Sequence, residues 1–513
     1  MSSAARSTRF AVLCGILAAA LTVAASEVAA LFIGSSTSPL FAVGSWVIDL
    51  TPGWLKDAVV AAFGTADKIV LFICLGILLV LLAALIGVLE YRRPPWGSVG
   101  LAVIAGIAMV AVLTRSGAGA LSPLPTLIGA GVGVWALRTG IRRLHAWQDG
   151  PAPDARGVDR RSFLVFASVS AAAAVIAGTG ARLVNGASTA VNSVRDALKL
   201  PRPATPAAAV PAGAELGIEG LSPYVTPNAD FYRIDTALAV PSLDPSDWKL
   251  RVYGMVDHEY ELSWKELLEL PMTEHMLTLA CVSNEVGGDL IGNALWLGYP
   301  LRELLKRAGP KAGADMVLSR SSDGFTASTP LDVLQDEGTD ALLAIGMNGE
   351  PLPLEHGFPA RLVVPGLYGY VSATKWVTEL KVTTFAADQG YWTDKGWTAR
   401  GPVKTESRID TPRSGGSVRP GRVAVAGVAW AQHTGIAKVE VQVDDGSWEA
   451  ATLADSVSAD TWRQWVYPWD ARAGRHTLRV RATDASGYTQ TGATAPPAPD
   501  GATGWHEVTL TVA

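Results

Sequence analysis

Apolar positions form long unbroken runs through the first third of the chain and short alternating bursts through the rest. A helix needs about 20 apolar residues to cross a bilayer. Runs near 9–33, 68–90, 98–114, 121–138 and 162–182 predict five spans, the third and fourth being short. Beyond residue 220 the period changes. "WKLRVYGMV", "HMLTLACV", "ARLVVPG" and "TKWVTELKVTTF" read as strands. "SWKELLELP" reads as a short helix opening on a capping Ser263, and "LGYPLRELLKRAG" as a helix with a glycine stop. This mixture predicts an α+β domain over 221–400. From about 415, "GRVAVAGVAWA", "IAKVEVQVDDGSWEAATL", "WRQWVYPWDA", "GRHTLRVRATDASG" and "HEVTLTVA" alternate with no helical pattern between them, and "VDDGSW" reads as a hairpin turn. Short strands at this spacing predict an all-β immunoglobulin-like sandwich over 401–513. The expected order is a membrane domain over 1–185, an Ala/Pro-rich linker over 186–220, the α+β domain, then the sandwich.

Charge orients the spans. Arg6 and Arg9 precede the first run, Arg92 and Arg93 follow the second, and Arg138, Arg142, Arg143 and Arg156 follow the fourth. The alternate loops carry only Lys56, Lys68 and Arg115. Positive charge stays on the cytoplasmic side, so the N-terminus is expected inside and everything after residue 185 outside. The expected location is the plasma membrane, multi-pass, with membrane lipid as the first partner. The formal net charge of −5 and the lack of a long basic run argue against nucleic acid. No histidine lies inside a span, the nearest being His145, so haem held by facing histidines is not expected. Gly129, Gly131 and Gly133 read as close helix packing, since no strand precedes them.

The fifth run opens on "DRRSFLVF", with Arg160 and Arg161, one spacer, then Phe163 and Leu164. The pattern resembles a twin-arginine export signal, which carries proteins already folded. Two arginines before a helix also simply obey the positive-inside rule.

Three cysteines exist, Cys14 and Cys74 in apolar runs and Cys281 alone in the last two-thirds. No disulfide framework or multi-cysteine zinc site can form in the soluble part. Cys281 has three readings: a buried filler, a nucleophile with a nearby base such as His275 or His356, or a soft thiolate ligand to a metal centre. The flanking "SNEVGGD" is polar and glycine-rich for a plain core strand, and Gly287 and Gly288 permit close backbone approach.

"CVSNEVGGDLIGNALWLGYPLREL", "TPNADFYRID" and "MNGEPLPLEHGFPARLVVPGLYGYVSATKW" closely resemble the bacterial branch of the sulfite oxidase family of molybdenum enzymes. "GVAWAQHTGIAKVEVQVDDGSW", "TWRQWVYPW" and "PDGATGWHEV" resemble that family's C-terminal sandwich, often called the dimerisation domain. The resemblance covers roughly residues 215–513, and the five-span anchor resembles some actinobacterial members. It implies a sulfite-oxidase-like fold, a molybdenum–molybdopterin cofactor, and Cys281 as the metal ligand. By the same matching it implies Asn228, Tyr232, Arg233, His356, Arg361, Ala373, Thr374 and Lys375 as cofactor-binding residues. Taken alone, Arg361 also reads as a surface ion pair, His356 as a loop residue held by hydrogen bonds, and Tyr232 as a core aromatic.

Two positions depart from the family pattern. The animal and plant enzymes carry an arginine shortly after the metal cysteine, where this chain has Glu285, and an active-site tyrosine where it aligns Phe325. A carboxylate is a poor receptor for an oxyanion. The resemblance therefore implies oxygen-atom transfer on a small oxo-anion or oxo-compound. Sulfite oxidation is the default, and reduction of a sulfoxide or N-oxide is the alternative. No haem domain is visible, so a separate electron-transfer partner, a cytochrome or the quinone pool, is expected, together with a homodimer. A non-catalytic membrane-tethered binding protein that keeps the fold is the rival from another class.

Overall fold

The structure is a computed structural model that describes residues 3–33, 37–52, 55, 59, 67–114, 119–149, 161–174, 186–237 and 240–513. The chain divides into two compact units, Met1–Ala190 with Ala237–Val240, and Val191–Thr236 with Pro241–Ala513.

Four helices of the first unit are long and apolar enough to cross a membrane: Ser7–Ile33, Val70–Arg92, Trp96–Leu113 and Leu124–Gln148. They match the first four expected spans. Of the fifth, the described part is a shorter apolar helix, Arg161–Ala174. Residues 175–182 of that span, and Arg160 of the expected export signal, lie outside the described residues. Phe163 is fully buried, and Leu164 is 41% exposed. A further helix, Pro39–Leu50, was not expected from run length; Ser38 caps it by accepting from Phe41 N, and Pro39 takes the first turn, where its missing N–H costs nothing. Two of the three glycines expected at a helix seam are there. A Cβ on Gly129 would strike Ser26 Oγ, and one on Gly133 would strike Thr22 Oγ1, whereas Gly131 faces open space.

After the helix Gly186–Ala197, the second unit runs as an extended strap along the α+β domain and the sandwich. Ala204 N donates to Met272 O at 2.7 Å, Glu274 N to Thr205 O at 2.9 Å, and Leu216 N to Gln464 Oε1 at 2.8 Å. Two sheets follow. β1 (Lys249–Gly254), β2 (Tyr260–Ser263), β5 (Met316–Ser321), β6 (Thr326–Pro330) and β10 (Val377–Thr383) form one, in the order β2-β1-β10-β5-β6. β3 (Thr273–Ala280), β4 (Ile291–Pro300), β7 (Leu342–Met347) and β8 (Glu350–Pro351) form the other in that order, with β9 (Arg361–Val363) on β7. Ser263 and Glu266 make the capping box that opens the short helix after β2. Gly309, at φ +67°, ends the helix Leu301–Ala308, in the left-handed conformation that glycine adopts freely. Every residue of β7 is buried, as expected for a strand covered on both faces.

The C-terminal domain packs two sheets. β11 (Glu406–Thr411), β13 (Gly421–Trp430), β17 (Arg463–Ala471) and β16 (Thr452–Leu453) form one. β12 (Ser417–Val418), β19 (His506–Val512), β18 (Gly474–Asp484), β14 (Ile436–Val443) and β15 (Trp448–Ala450) form the other. Alternate residues from both faces, among them Val425, Val439, Trp465 and Leu478, make its core. Val428, Trp430 and Trp462 instead belong to the apolar core of the α+β domain. The sandwich and the cofactor-type domain thus share buried surface, and that contact sits beside the strand leading to Cys281.

Candidate functional site

Cys281 directly follows β3, where the sheet gives way to a turn-rich loop over 282–290. Its N–H donates to Leu290 O at 2.9 Å, the last rung of the β3–β4 ladder. The loop holds itself by few bonds: Asn284 N to Cys281 O at 3.1 Å, Gly288 N to Glu285 O at 2.8 Å and Leu290 N to Asn284 Oδ1 at 2.9 Å. Gly287 has φ +78°, which a side chain would resist. The Cys281 thiol is 9% exposed, and burial pushes its pKa up against the pull of hydrogen bonds from Ser283. Left to itself the thiol stays protonated at neutral pH. A metal reverses that preference, because a coordinating thiol is deprotonated outright.

Five further segments, within 231–236, 321–325, 356–361, 369–376 and 392–397, close a cleft of about 920 Å³ around this thiol, space open to solvent included. Tyr232, His356, Arg361, Ala373 and Lys375 line it together with Cys281. His356 sits in a single turn of 3₁₀ helix, and Gly357 turns the chain out of it at φ +111°. The His356 Nε2–H donates to Asn228 O at 3.1 Å, since a carbonyl can only accept. Burial and the nearby Arg361 guanidinium hold its pKa down to about 4. His356 is therefore neutral, with Nδ1 left as an acceptor.

Arg361 is 5% exposed. It donates to the carbonyls of Leu362 at 3.2 Å, His356 at 3.2 Å and Ala373 at 3.4 Å, and lies over the Trp296 ring at 5.2 Å. None of these partners is a carboxylate. Burial lowers its pKa to about 10. A buried cation held only by carbonyls is an anion receptor waiting for its anion. Lys375 differs: its Nζ meets Asp235 Oδ2 at 2.7 Å and Glu355 O at 3.0 Å. Burial brings its pKa down to about 8, opposed by Asp235. Burial likewise raises the Tyr232 phenol.

The other expected cofactor residues lie off the cleft wall. Asn228 stands behind His356, donating to Met347 O at 3.3 Å and accepting from Asn348 Nδ2 at 2.8 Å. Thr374 turns inward to Ser319 Oγ at 2.7 Å. Arg233, whose side chain is 41% exposed, pairs with Asp235 at 2.9 Å. Phe231, Asp235, Ser283, Tyr370, Trp392 and Trp397 also line the cleft and were not singled out from sequence. Asp235 was within reach, because it closes the "TPNADFYRID" motif. Phe325 is in the wall as well.

The thiol-nucleophile reading loses its bases. His275 pairs with Asp340 at 2.9 Å, and six residues of extended chain, roughly 20 Å, separate it from Cys281. His356 keeps Nδ1 free to accept, but burial and Arg361 hold its pKa down to about 4 and make it a weak base. Among the described residues no group of three His, Cys, Asp or Glu side chains could hold a metal alone. A metal at Cys281 must therefore bring its remaining ligands with it, as a pterin dithiolene does. The carbonyl-bound Arg361 in the cleft wall suits such a polar, anionic group.

The chain resembles known proteins over both of its C-terminal domains. The family model for an oxidoreductase molybdopterin binding domain matches residues 237–392, and that for a bacterial Ig domain matches 406–480. The uncharacterized oxidoreductase YuiH of Bacillus subtilis (strain 168) is 37% identical over 158 residues, 31% of this chain and 76% of that protein. Human mitochondrial sulfite oxidase is 30% identical over 305 residues, 50% of this chain and 55% of that protein. The chain thus spans about half the length of the curated sulfite oxidases it matches. Among solved structures, the sulfane dehydrogenase SoxCD from Paracoccus pantotrophus aligns at 24% identity with a TM-score of 0.49, covering 56% of this chain and 83% of that one.

Proposed function

This chain belongs to the sulfite oxidase family of molybdopterin oxidoreductases, and on that premise we propose that it is a membrane-anchored enzyme transferring an oxygen atom to or from a small sulfur- or nitrogen-containing oxo substrate. The bound cofactor would supply the two-electron, oxygen-atom chemistry. Cys281 would hold the metal through its thiolate. Arg361 and Lys375 would answer the anionic end of the pterin, and neutral His356 would accept a pterin N–H at Nδ1. Asn228 would fix the His356 tautomer from behind, Thr374 would brace the segment between Ala373 and Lys375, and Arg233 would share Asp235 with Lys375. The catalytic domain would face the extracytoplasmic side, as the arginine-rich loops of the anchor favour, and electrons would pass to or from a separate cytochrome or quinone.

The observation that carries this reading is a buried thiol sharing one cleft with a buried guanidinium that has only carbonyls for partners. Its test is the molybdenum and pterin content of the purified protein beside Cys281→Ala. Near-stoichiometric metal in the wild type and loss in the variant is expected. No metal in the wild type, from a host able to make the cofactor, would overturn it and promote the binding-protein reading.

Sulfite oxidation is the default reaction. Reduction of a sulfoxide or N-oxide has an observation of its own in its favour. Phe325, Tyr370, Trp392 and Trp397 line the cleft, and Glu285 rather than a cation lies in the loop after the thiol. An aromatic wall suits an organic oxo compound better than a small dianion. Turnover of a sulfoxide with a reduced dye, and none with sulfite, would decide for it.

A further inference from the structure

We propose that Arg408 and His506, both from the C-terminal sandwich, are positioning residues for the Cys281 thiol: the sandwich, and not the α+β domain alone, gives the ligand loop its shape. The inference rests on the reading of Cys281 as the metal ligand.

Residues 282–290 have little regular structure of their own, and β3, which leads into them, is the edge strand of its sheet. An edge strand leaves outward N–H and C=O groups that need partners. The sandwich supplies them. Thr278, three residues before the thiol, donates its N–H to Asp460 O at 2.9 Å. Its carbonyl accepts from Gln432 Nε2 at 3.2 Å, and its hydroxyl oxygen accepts from Trp462 N at 2.8 Å.

On the far side of the thiol, Arg408 Nη1 donates to Gly288 O at 2.6 Å. That guanidinium is itself locked, with Nε on Asp410 Oδ1 at 2.6 Å and Nη2 on Ser222 Oγ at 2.9 Å, and it is 7% exposed. Beside it, His506 Nδ1 accepts from Ile409 N at 3.0 Å, which fixes the ring. The Cδ2–Nε2 edge of that ring fills the space a Cβ on Gly287 would take. A charged donor on Gly288 and a ring against Gly287 therefore pin the loop at its two most pliant residues. Neither side chain lines the cleft, so both act through the loop.

The test uses the full chain made in a host unable to synthesise the cofactor, and reads alkylation of Cys281 by iodoacetamide through peptide mass. Buried Cys14 and exposed Cys74 are internal references. A charge-assisted hydrogen bond closing the loop predicts that Arg408→Ala speeds Cys281 alkylation by about tenfold or more. Cys14 should be unchanged, and Arg408→Lys should fall between. His506→Ala should also speed it. In cofactor-loaded protein, the same variants should shift the Mo(V) resonance spectrum. A wild-type alkylation rate in Arg408→Ala and His506→Ala would overturn the proposal. Should Arg408→Ala not fold, Arg408→Lys and His506→Ala carry the test by themselves. Because alkylation needs no metal, a metal-free wild type would sink the functional reading and leave this measurement standing.

Discussion

Lys375 Nζ lies 2.7 Å from Asp235 Oδ2, with both side chains almost wholly buried, and Arg233 reaches the same oxygen at 2.9 Å. One carboxylate thus serves two cations, and the three groups together retain a net positive charge. Burial nevertheless holds the Lys375 pKa down to about 8. The ammonium is charged below that value and lost above it, so an anion bound through it is held best at neutral pH and more weakly as pH rises. Cofactor retention in the wild type is expected to fall between pH 7 and 9. In Lys375→Arg it should stay level, because a guanidinium does not titrate there. A level wild-type profile, matched by Lys375→Ala, would remove Lys375 from the binding set.

Arg361 makes the opposite trade. Its burial without a carboxylate costs stability in the empty protein, and that cost is recovered only with the anion. Arg361→Met should leave the thermal midpoint of cofactor-free protein unchanged or higher. Cofactor content should drop by about tenfold or more, as expected for a charged hydrogen-bonded contact. Wild-type content in that variant would show the guanidinium to be structural.

Glu406 opens the sandwich at 5% exposure, and its Oε1 has no partner. Burial pushes its pKa up to about 8, with Lys404 pulling the other way. A carboxyl whose folded value exceeds its unfolded one stabilises the fold most at low pH. That stability falls as pH rises from the ordinary carboxylate value through about 8. Thermal melts at pH 5, 7 and 9 should therefore decline more steeply for the wild type than for Glu406→Gln, which cannot ionise. Parallel declines would show that the carboxyl is solvated.

The two arginines at the entrance of the last apolar helix give a prediction about sidedness. If they act as an export signal, Arg160→Lys with Arg161→Lys should strand the second unit in the cytoplasm. Protease added to intact cells would then spare it while cutting the wild type. Equal cutting would leave the arginines as simple topological charge.

Local pattern was enough to reveal much of this molecule. Run length gave four helices, alternation gave the sandwich strands, and the polar, glycine-rich flank set Cys281 apart from a core cysteine. What pattern could not give was anything short or anything distant. The helix Pro39–Leu50, at 12 residues, is too brief for a span. Motif matching brought Asn228, Arg233 and Thr374 to the neighbourhood of the cleft but could not say that they stand beside it or behind it. Asp235 closes a motif that pattern singles out, but its pairing with Lys375, 140 residues further along, has no local signature. Arg408 and His506 lie over 100 residues along the chain from the loop they touch, and no period connects them.

The ring of His506 against Gly287 also sets an order of events during synthesis. Cys281 leaves the ribosome long before residue 506 does. Until that strand emerges, Arg408 can already reach Gly288, but Gly287 lacks the ring that packs against it. The loop after Cys281 thus takes its final shape only once β19 is in place, so its geometry depends on residues made long after the thiol itself.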